Sequence, residues 1–171
     1  IPLCETLMLK GYHVIGLDRY YFGRDILAPL EKNSNFTMLV DDTRTFDLAI
    51  LQDVDAVIDL AGLSNDASAE IDPSLTKAIN TNGAIRMIDA AKAAGIKRYV
   101  YSSSASVYGH GETTDLNEKS DCFPQTQYAK SKEDVEKALH EKASSDFEVV
   151  MLRNATVFGL APRMRLDLAV N

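Results

Sequence analysis

The stretch that decides the fold is Ala84-Ile-Arg-Met-Ile-Asp-Ala-Ala-Lys-Ala-Ala-Gly-Ile-Lys-Arg-Tyr-Val-Tyr-Ser102. Its first half carries Ala84, Ile88 and Ala91 at helical spacing on one face, with Arg86, Asp89 and Lys92 off it, so it reads as a helix with one buried side. Gly95 closes the helix. The chain then turns to Arg98-Tyr-Val-Tyr-Ser102, a β-prone run of the length of a buried strand. A helix that hands the chain straight to a buried strand is the repeating element of α/β proteins.

Working outward, the same alternation recurs. On the N-terminal side a helical run from Ile1 to Gly11, with Leu3 and Leu7 one turn apart, leads into Tyr12-His-Val-Ile-Gly-Leu-Asp18 as a strand. Strand-like Phe36 to Val40, a helical Phe46 to Gln52 and strand-like Ala56 to Ala61 precede a long helix expected from about Ser74 to Ala94. On the C-terminal side come a loop from about Gly109 to Pro124, a helix through Tyr128 to Leu139 and a strand from Phe147 to Leu152. Strands alternating with helices imply right-handed crossovers, hence a doubly wound, Rossmann-like parallel sheet covered on both faces. No repeat, low-complexity tract or Pro/Gly-rich linker divides the chain, so one domain over 1–171 is expected.

Composition narrows the function classes. The 171 residues are 46% hydrophobic, enough for one sizeable core. Eighteen basic against 25 acidic side chains give a net charge of −7, which argues against a broad grip on nucleic acid or anionic lipid. No apolar run approaches the roughly 20 residues that cross a bilayer, so no membrane partner is expected. Cys4 and Cys122 lack a CxxC spacing and read as reduced thiols of a soluble, cytoplasmic protein.

Ligands of open parallel sheets bind beyond the carboxyl ends of the strands, which makes strand-end residues the candidates. Asp18 ends its strand as the carboxylate that accepts hydrogen bonds from an adenosine ribose would; an incidental acid after a strand is the plain alternative. In Tyr128-Ala-Lys-Ser-Lys132 the phenol and the ammonium stand one helical turn apart and can reach one bound molecule. A tyrosine with an ordinary pKa near 10 is a poor base at neutral pH, and a neighbouring ammonium stabilises its phenolate. The strand that carries Tyr101 breaks into Ser102, Ser103 and Ser104, which places hydroxyls where a buried strand would stay apolar. The plain readings are a solvated Tyr/Lys pair and turn-forming serines. Arg163 and Arg165 offer planar donor forks for phosphate or carboxylate, or a solvated turn. His13 and His110 lack partners at metal-ligand spacing, so no metal is expected. Asp41 beside Asp42 points to the opposite side, and Glu112, Asp115, Glu118 and Asp121 read as a solvated loop.

Seven stretches in order, Gly11 to Asp18, Asp42-Thr-Arg44, Ile58-Asp-Leu-Ala-Gly62, Asn80-Thr-Asn-Gly83, Ser102-Ser-Ser-Ala-Ser-Val-Tyr-Gly109, Tyr128 to Lys132 and Arg153-Asn-Ala-Thr-Val-Phe-Gly159, resemble the extended short-chain dehydrogenase/reductase family. The likeness is to its nucleotide-sugar epimerases and dehydratases. It implies NAD as cofactor, with Asp18 and the backbone near Arg19 on the adenosine ribose, Asp42 and Thr43 at the adenine, and Leu60, Ala61, Gly62 and Leu63 along the dinucleotide. Ile79, Asn80, Ser102 and the Ala155 backbone would lie at the cofactor. Ser104, Tyr128 and Lys132 match the catalytic trio, with Tyr128 and Lys132 also touching cofactor and Ser104 and Tyr128 also touching substrate. Thr156, Arg163 and Arg165 would meet a nucleotide-sugar substrate. The chain departs from many relatives in carrying Asp59 where they have His, and Thr156 where they have Asn. It also lacks the carboxylates of the 4,6-dehydratases, having Ser104-Ala-Ser106 in place of Thr-Asp-Glu.

The resemblance thus implies an NAD-dependent nucleotide-sugar epimerase working by transient oxidation of a sugar hydroxyl. An NAD(P)H-dependent keto-sugar or carbonyl reductase would use the same three residues, and a non-catalytic dinucleotide-sensing module would share the fold. The family's first strand and glycine-rich loop would precede Ile1, so the chain is expected to be truncated at both ends, with the substrate region starting from about 154 and a homodimer formed by the complete protein.

Overall fold

All five strands pair in parallel, in two sheets, within a computed structural model that describes residues 1–21, 23–64, 66–110 and 115–159. The chain divides into two units, Ile1–Asp42 with Thr156–Asn171, and Thr43–Ala155. In the first unit, helix α1 (Pro2–Leu9) leads to strand β1 (Val14–Asp18), and helix α2 (Ala28–Glu31) to strand β2 (Phe36–Val40). Pro2 opens α1, where its missing N–H deprives the helix of nothing. The two strands run in register from Val14 opposite Phe36 to Asp18 opposite Val40. Met8, Leu27, Leu30 and Phe36 are buried together against Val14 and Met38.

The second unit holds a three-stranded sheet with β3 (Ala56–Asp59) and β5 (Glu148–Asn154) on either side of β4 (Arg98–Ser104). Its helices are α3 (Asp66–Ile71), α4 (Pro73–Thr76), α5 (Ala84–Ala93) and α6 (Gln127–Lys142). The core lies where Tyr99, Tyr101 and Val107 of the central strand and its outgoing turn are buried with Ile88 of α5, Val135 and Leu139 of α6, and Phe147. Tyr99 and Phe147 meet ring to ring, with centroids 6.0 Å apart. This is the parallel α/β organisation expected from the alternating pattern.

Four elements differ from expectation. Phe46 to Gln52 forms only a 3₁₀ turn over Leu48–Leu51, because the Asp47 carboxylate accepts from Ala49 N–H and Phe46 is drawn into the core outside the turn. The long helix expected from Ser74 to Ala94 is α4, a wide π-helical stretch over Lys77–Gly83 and then α5. In that stretch Gly83 passes so close to Thr43 that a β-carbon would lie 2.8 Å from its Oγ1. Helix α3 has no counterpart in the sequence reading, and β4 runs two residues further than expected, through Ser103 and Ser104.

Candidate functional site

Strand β4 sorts its serines by the alternation of a pleated strand. Ser103 is buried and donates to Glu136 Oε1 at 2.5 Å, while Ser102 and Ser104 stand on either side of it in the chain. The Ser102 carbonyl accepts from Lys132 Nζ at 2.7 Å, and its hydroxyl accepts from Asn154 Nδ2 at 3.1 Å. Ser104 leaves the strand as the cap of the 3₁₀ turn Ala105–Tyr108, its Oγ accepting from the Ser106 amide at 3.2 Å and from the Ser106 hydroxyl at 2.9 Å.

Helix α6 is set against this strand end. Thr126 caps it, accepting from Ala129 N–H at 3.1 Å, and itself donates to Asp66; Glu70 accepts from Gln127 N–H at 2.7 Å. Two carboxylates of α3, one turn apart, thus hold the positive end of α6. Tyr128, Lys132 and Glu136 follow at four-residue intervals and share a face. Lys132 is 6% exposed, its ammonium 5.6 Å from the Tyr128 ring centre and 4.7 Å from that of Tyr101. Burial lowers the Lys132 pKa, and the negative charge of Asp59 acts to raise it.

Beneath the face lies a network the sequence reading did not find. Glu136 accepts from Arg153 Nε at 3.1 Å and Nη2 at 2.7 Å, and the guanidinium stacks on Tyr108 at 4.9 Å. That hydrogen bonding pushes the Arg153 pKa up. Asp59, at the end of β3, accepts from Tyr99 Oη at 2.8 Å and from Ala61 N–H at 3.0 Å. Burial raises its pKa, against the pull of both hydrogen bonds and Lys132. The sequence signal available for Glu136 was its position one turn beyond Lys132 on the same face.

The Leu60 to Leu63 segment is held from below. Asn80 Oδ1 accepts from Leu63 N–H at 2.8 Å and its Nδ2 donates to Leu63 O at 3.1 Å. Gly62 has φ +144°, and a β-carbon there would come within 2.9 Å of Asn80 Oδ1, so only glycine lets the turn close. Asn80 therefore acts on the segment, and Ile79 beside it is half-buried. The exposed Leu60, Ala61 and Gly62 form a short open edge at the strand end.

In the first unit Asp18 closes β1 and accepts from Tyr20 N–H at 2.7 Å, with Tyr20 in the left-handed region at φ 54°. Arg19 reaches Asp42 Oδ2 at 2.5 Å and lies 5.0 Å from the Tyr21 ring centre. Thr43 belongs to the second unit, and Ala155 and Thr156 are exposed after β5. Arg163 and Arg165 lie outside the described residues, as does Glu112. Cys4 and Cys122 are free thiols, and among the described residues no helix is long and apolar enough to cross a membrane.

Comparison with known proteins gives this arrangement its context. The model of the NAD dependent epimerase/dehydratase family matches residues 2–168. A "UDP-glucose epimerase YtcB" of Bacillus subtilis (strain 168), described as uncharacterized, is 31% identical over 98% of this chain and 55% of its own length. The UDP-glucuronic acid 4-epimerase of Bacillus cereus, solved with UDP-glucuronic acid and NAD, superposes with a TM-score of 0.86 at 27% identity, over 98% of this chain and 56% of that one. The dTDP-glucose 4,6-dehydratase DesIV of Streptomyces venezuelae, solved with NAD, gives 0.76 at 26% identity, over 88% and 51%. The chain spans about half the length of the relatives it matches.

Proposed function

The chain belongs to the NAD dependent epimerase/dehydratase family, and from that premise we propose that the full-length protein is an NAD-dependent epimerase of a nucleotide sugar. The observation that carries the reading is the buried Lys132 ammonium, fixed on the Ser102 carbonyl and lying 5.6 Å from the Tyr128 ring on the same helix face. A sensing module would have no use for a cation buried beside a phenol.

The residues present fit the dinucleotide that the Bacillus cereus enzyme holds. In the Thr43–Ala155 unit, Gly62 and the open edge at Leu60 and Ala61 would let a ligand approach backbone, with Asn80 keeping that edge in shape and Thr43 close beside Gly83; in the Ile1–Asp42 unit, taken by itself, Asp18, Arg19 and Asp42 would suit an adenosine end. Ile79, Ser102, Ala155 and Lys132 would complete the contacts. Bound NAD would supply the hydride chemistry. The rest falls to this chain. Tyr128 as phenolate takes the proton of the sugar hydroxyl, Lys132 stabilises that phenolate, and Ser104 donates to the reacting oxygen. Epimerisation requires the same phenol to return its proton, so Tyr128 serves as base and then acid in one cycle. Thr156, Arg163 and Arg165 are assigned to the nucleotide diphosphate, and the complete protein to a homodimer.

A 4,6-dehydratase is disfavoured by Ser106. Its hydroxyl is spent on Ser104 Oγ at 2.9 Å, and no carboxyl stands there to protonate a neighbouring carbon. The test is incubation of the full-length protein with a panel of UDP- and dTDP-sugars, reading products by NMR. An inverted C4 epimer without net cofactor reduction is expected. A 4-keto-6-deoxy product, or net consumption of reduced nicotinamide, would replace the reading with a dehydratase or a reductase.

A further inference from the structure

Two buried carboxylates lie near the Ser104, Tyr128 and Lys132 constellation, and the mechanism above uses neither. Glu136 is 4% exposed and spoken for, by Arg153 and by the Ser103 hydroxyl. Asp59 is 6% exposed and receives two neutral hydrogen bonds, from Tyr99 Oη and from Ala61 N–H. Neutral donors alone are a thin compensation for removing a carboxylate from water. Lys132 presents the complementary problem. Its ammonium is buried with one carbonyl acceptor, Ser102 O, and two ring faces, Tyr101 and Tyr128. An ammonium so placed with no opposite charge nearby would hold its proton less tightly.

The ladder explains how the two meet. Asp59 stands directly opposite Tyr101 in the β3–β4 register, and the Tyr101 ring lies 4.7 Å from Lys132 Nζ. We propose that Asp59 is the buried counter-charge of Lys132, a positioning residue that keeps the ammonium protonated and fixed beside Tyr128, and so keeps the phenol usable as a base. The inference rests on the roles given above to Lys132 and Tyr128. Its carboxylate also fixes the exit of β3 through Ala61, so one side chain sets the charge on the lysine and the shape of the Leu60 to Leu63 edge. The burial effects agree in direction, each charge offsetting the cost the other bears. The groups facing this pair are Tyr99 and Tyr101 from β4, and Tyr128 and Glu136 from α6. The two phenols of β4 are held neutral by burial, their pKa raised, and Glu136 is held by Arg153, so of the carboxylates facing the lysine Asp59 is the one set to offset its charge.

The experiment is an NMR titration of the full-length protein with 13C-labelled lysine and aspartate, following Lys132 Cε and Asp59 Cγ. In the wild type, the Asp59 carboxyl is expected to register a step at the pH where Lys132 loses its proton, as coupled sites do. Asp59→Asn keeps the shape and an acceptor for Ala61 N–H. It should move the Lys132 midpoint down by about one pH unit or more, a tenfold loss of proton affinity. Tyr99→Phe, which removes a hydrogen bond and no charge, should move it less. An unchanged midpoint in Asp59→Asn would overturn the proposal, as would the absence of a shared step in the wild type. The wild-type step decides alone if the variant fails to fold. The titration reads ionisation and not turnover, so a protein that shows the coupling without epimerising sugars would sink the functional reading and support this one.

Discussion

Among the arginine–carboxylate pairs of the described residues, Arg153 with Glu136 and Arg19 with Asp42 have similar contact distances and different surroundings. In the Thr43–Ala155 unit, Arg153 grips Glu136 at 2.7 Å with side chains 20% and 5% exposed, between a buried serine and a tyrosine face. In the Ile1–Asp42 unit, Arg19 meets Asp42 at 2.5 Å with side chains 44% and 13% exposed. The first pair is walled in and has no alternative partner in water; the second competes with solvent at every moment. The contrast separates two kinds of region. Around Tyr128 and Lys132 the chain places buried charge that holds geometry, while beside Asp18 the Arg19 guanidinium stays open to solvent.

The buried region is broken most completely at its centre. Tyr128→Phe deletes one ionisable oxygen and little volume, so turnover of the full-length enzyme should fall by about 100- to 10,000-fold. Calorimetry should find dinucleotide affinity nearly unchanged. A variant keeping more than about a tenth of the wild-type rate would remove Tyr128 from the role of base.

The two pairs themselves give the next effect. Glu136→Ala leaves the Arg153 guanidinium among Tyr108 and the β4 serines without its carboxylate, a loss of about 3 to 5 kcal/mol in unfolding free energy. Arg19→Met at the exposed pair should cost less than about 1 kcal/mol. Denaturant titration of both variants checks the difference. Equal costs would mean that the burial of Glu136 has no energetic consequence.

What the sequence disclosed and concealed follows the same division. The strands were legible because Val14 to Leu17, Phe36 to Val40 and Tyr99 to Tyr101 are β-prone runs that mean the same thing in any context. Tyr128 and Lys132 were legible because helical spacing alone puts them together. Asp59 was visible only as a departure from relatives, and Glu136 was not singled out by its sequence context. Their roles depend on partners 40, 33 and 17 residues away, Tyr99, Ser103 and Arg153, and no local pattern announces such pairings. Helix α3 escaped for a related reason. Asp66-Ala-Ser-Ala-Glu-Ile71 has weak helical signals of its own, and tertiary bonds from Asp66 and Glu70 to the start of α6, with Thr76 Oγ1 on the Ala69 carbonyl at 2.8 Å, hold it. The π-helical stretch interrupted a helix whose periodicity looked continuous because Asn80 is turned to the Leu63 backbone.

A smaller effect tests the edge of the buried region. Ser104→Ala removes the donor proposed for the reacting oxygen and leaves Tyr128 and Lys132 in place, so the rate should fall by about tenfold, the worth of one hydrogen bond of about 1.4 kcal/mol. Ser106, now without its acceptor at 2.9 Å, would be able to turn its hydroxyl toward the same space. The double variant with Ser106→Ala therefore loses more than the single one, and identical rates for the two would show that Ser106 does not substitute.

The smallest expected effect belongs to the exposed pair, and it sharpens the comparison from the other side. Placed at the adenosine ribose as proposed, Asp18 at the end of β1 would disfavour a phosphate on the 2′ oxygen, so the proposed cofactor preference is NAD over NADP. Arg19 is the neighbouring group that could reverse this, since a guanidinium fits a phosphate. It is restrained, because Asp42 holds its Nη1 and the Tyr21 ring lies 5.0 Å from its Cζ. Asp42→Asn removes the charge that holds Arg19 and one negative charge that a 2′-phosphate would meet. An exposed pair contributes less than about 1 kcal/mol, so the ratio of NADP to NAD affinity should rise by no more than about fivefold. The gain should shrink as salt is raised to the point where the screening length falls well below about 10 Å. Calorimetry of both cofactors on the full-length protein, at low and high salt, measures it. A ratio unchanged at low salt would mean that Arg19 is not what Asp42 restrains, whereas a gain of a hundredfold would mean that the pair behaves as if buried and that the contrast with Arg153 and Glu136 fails.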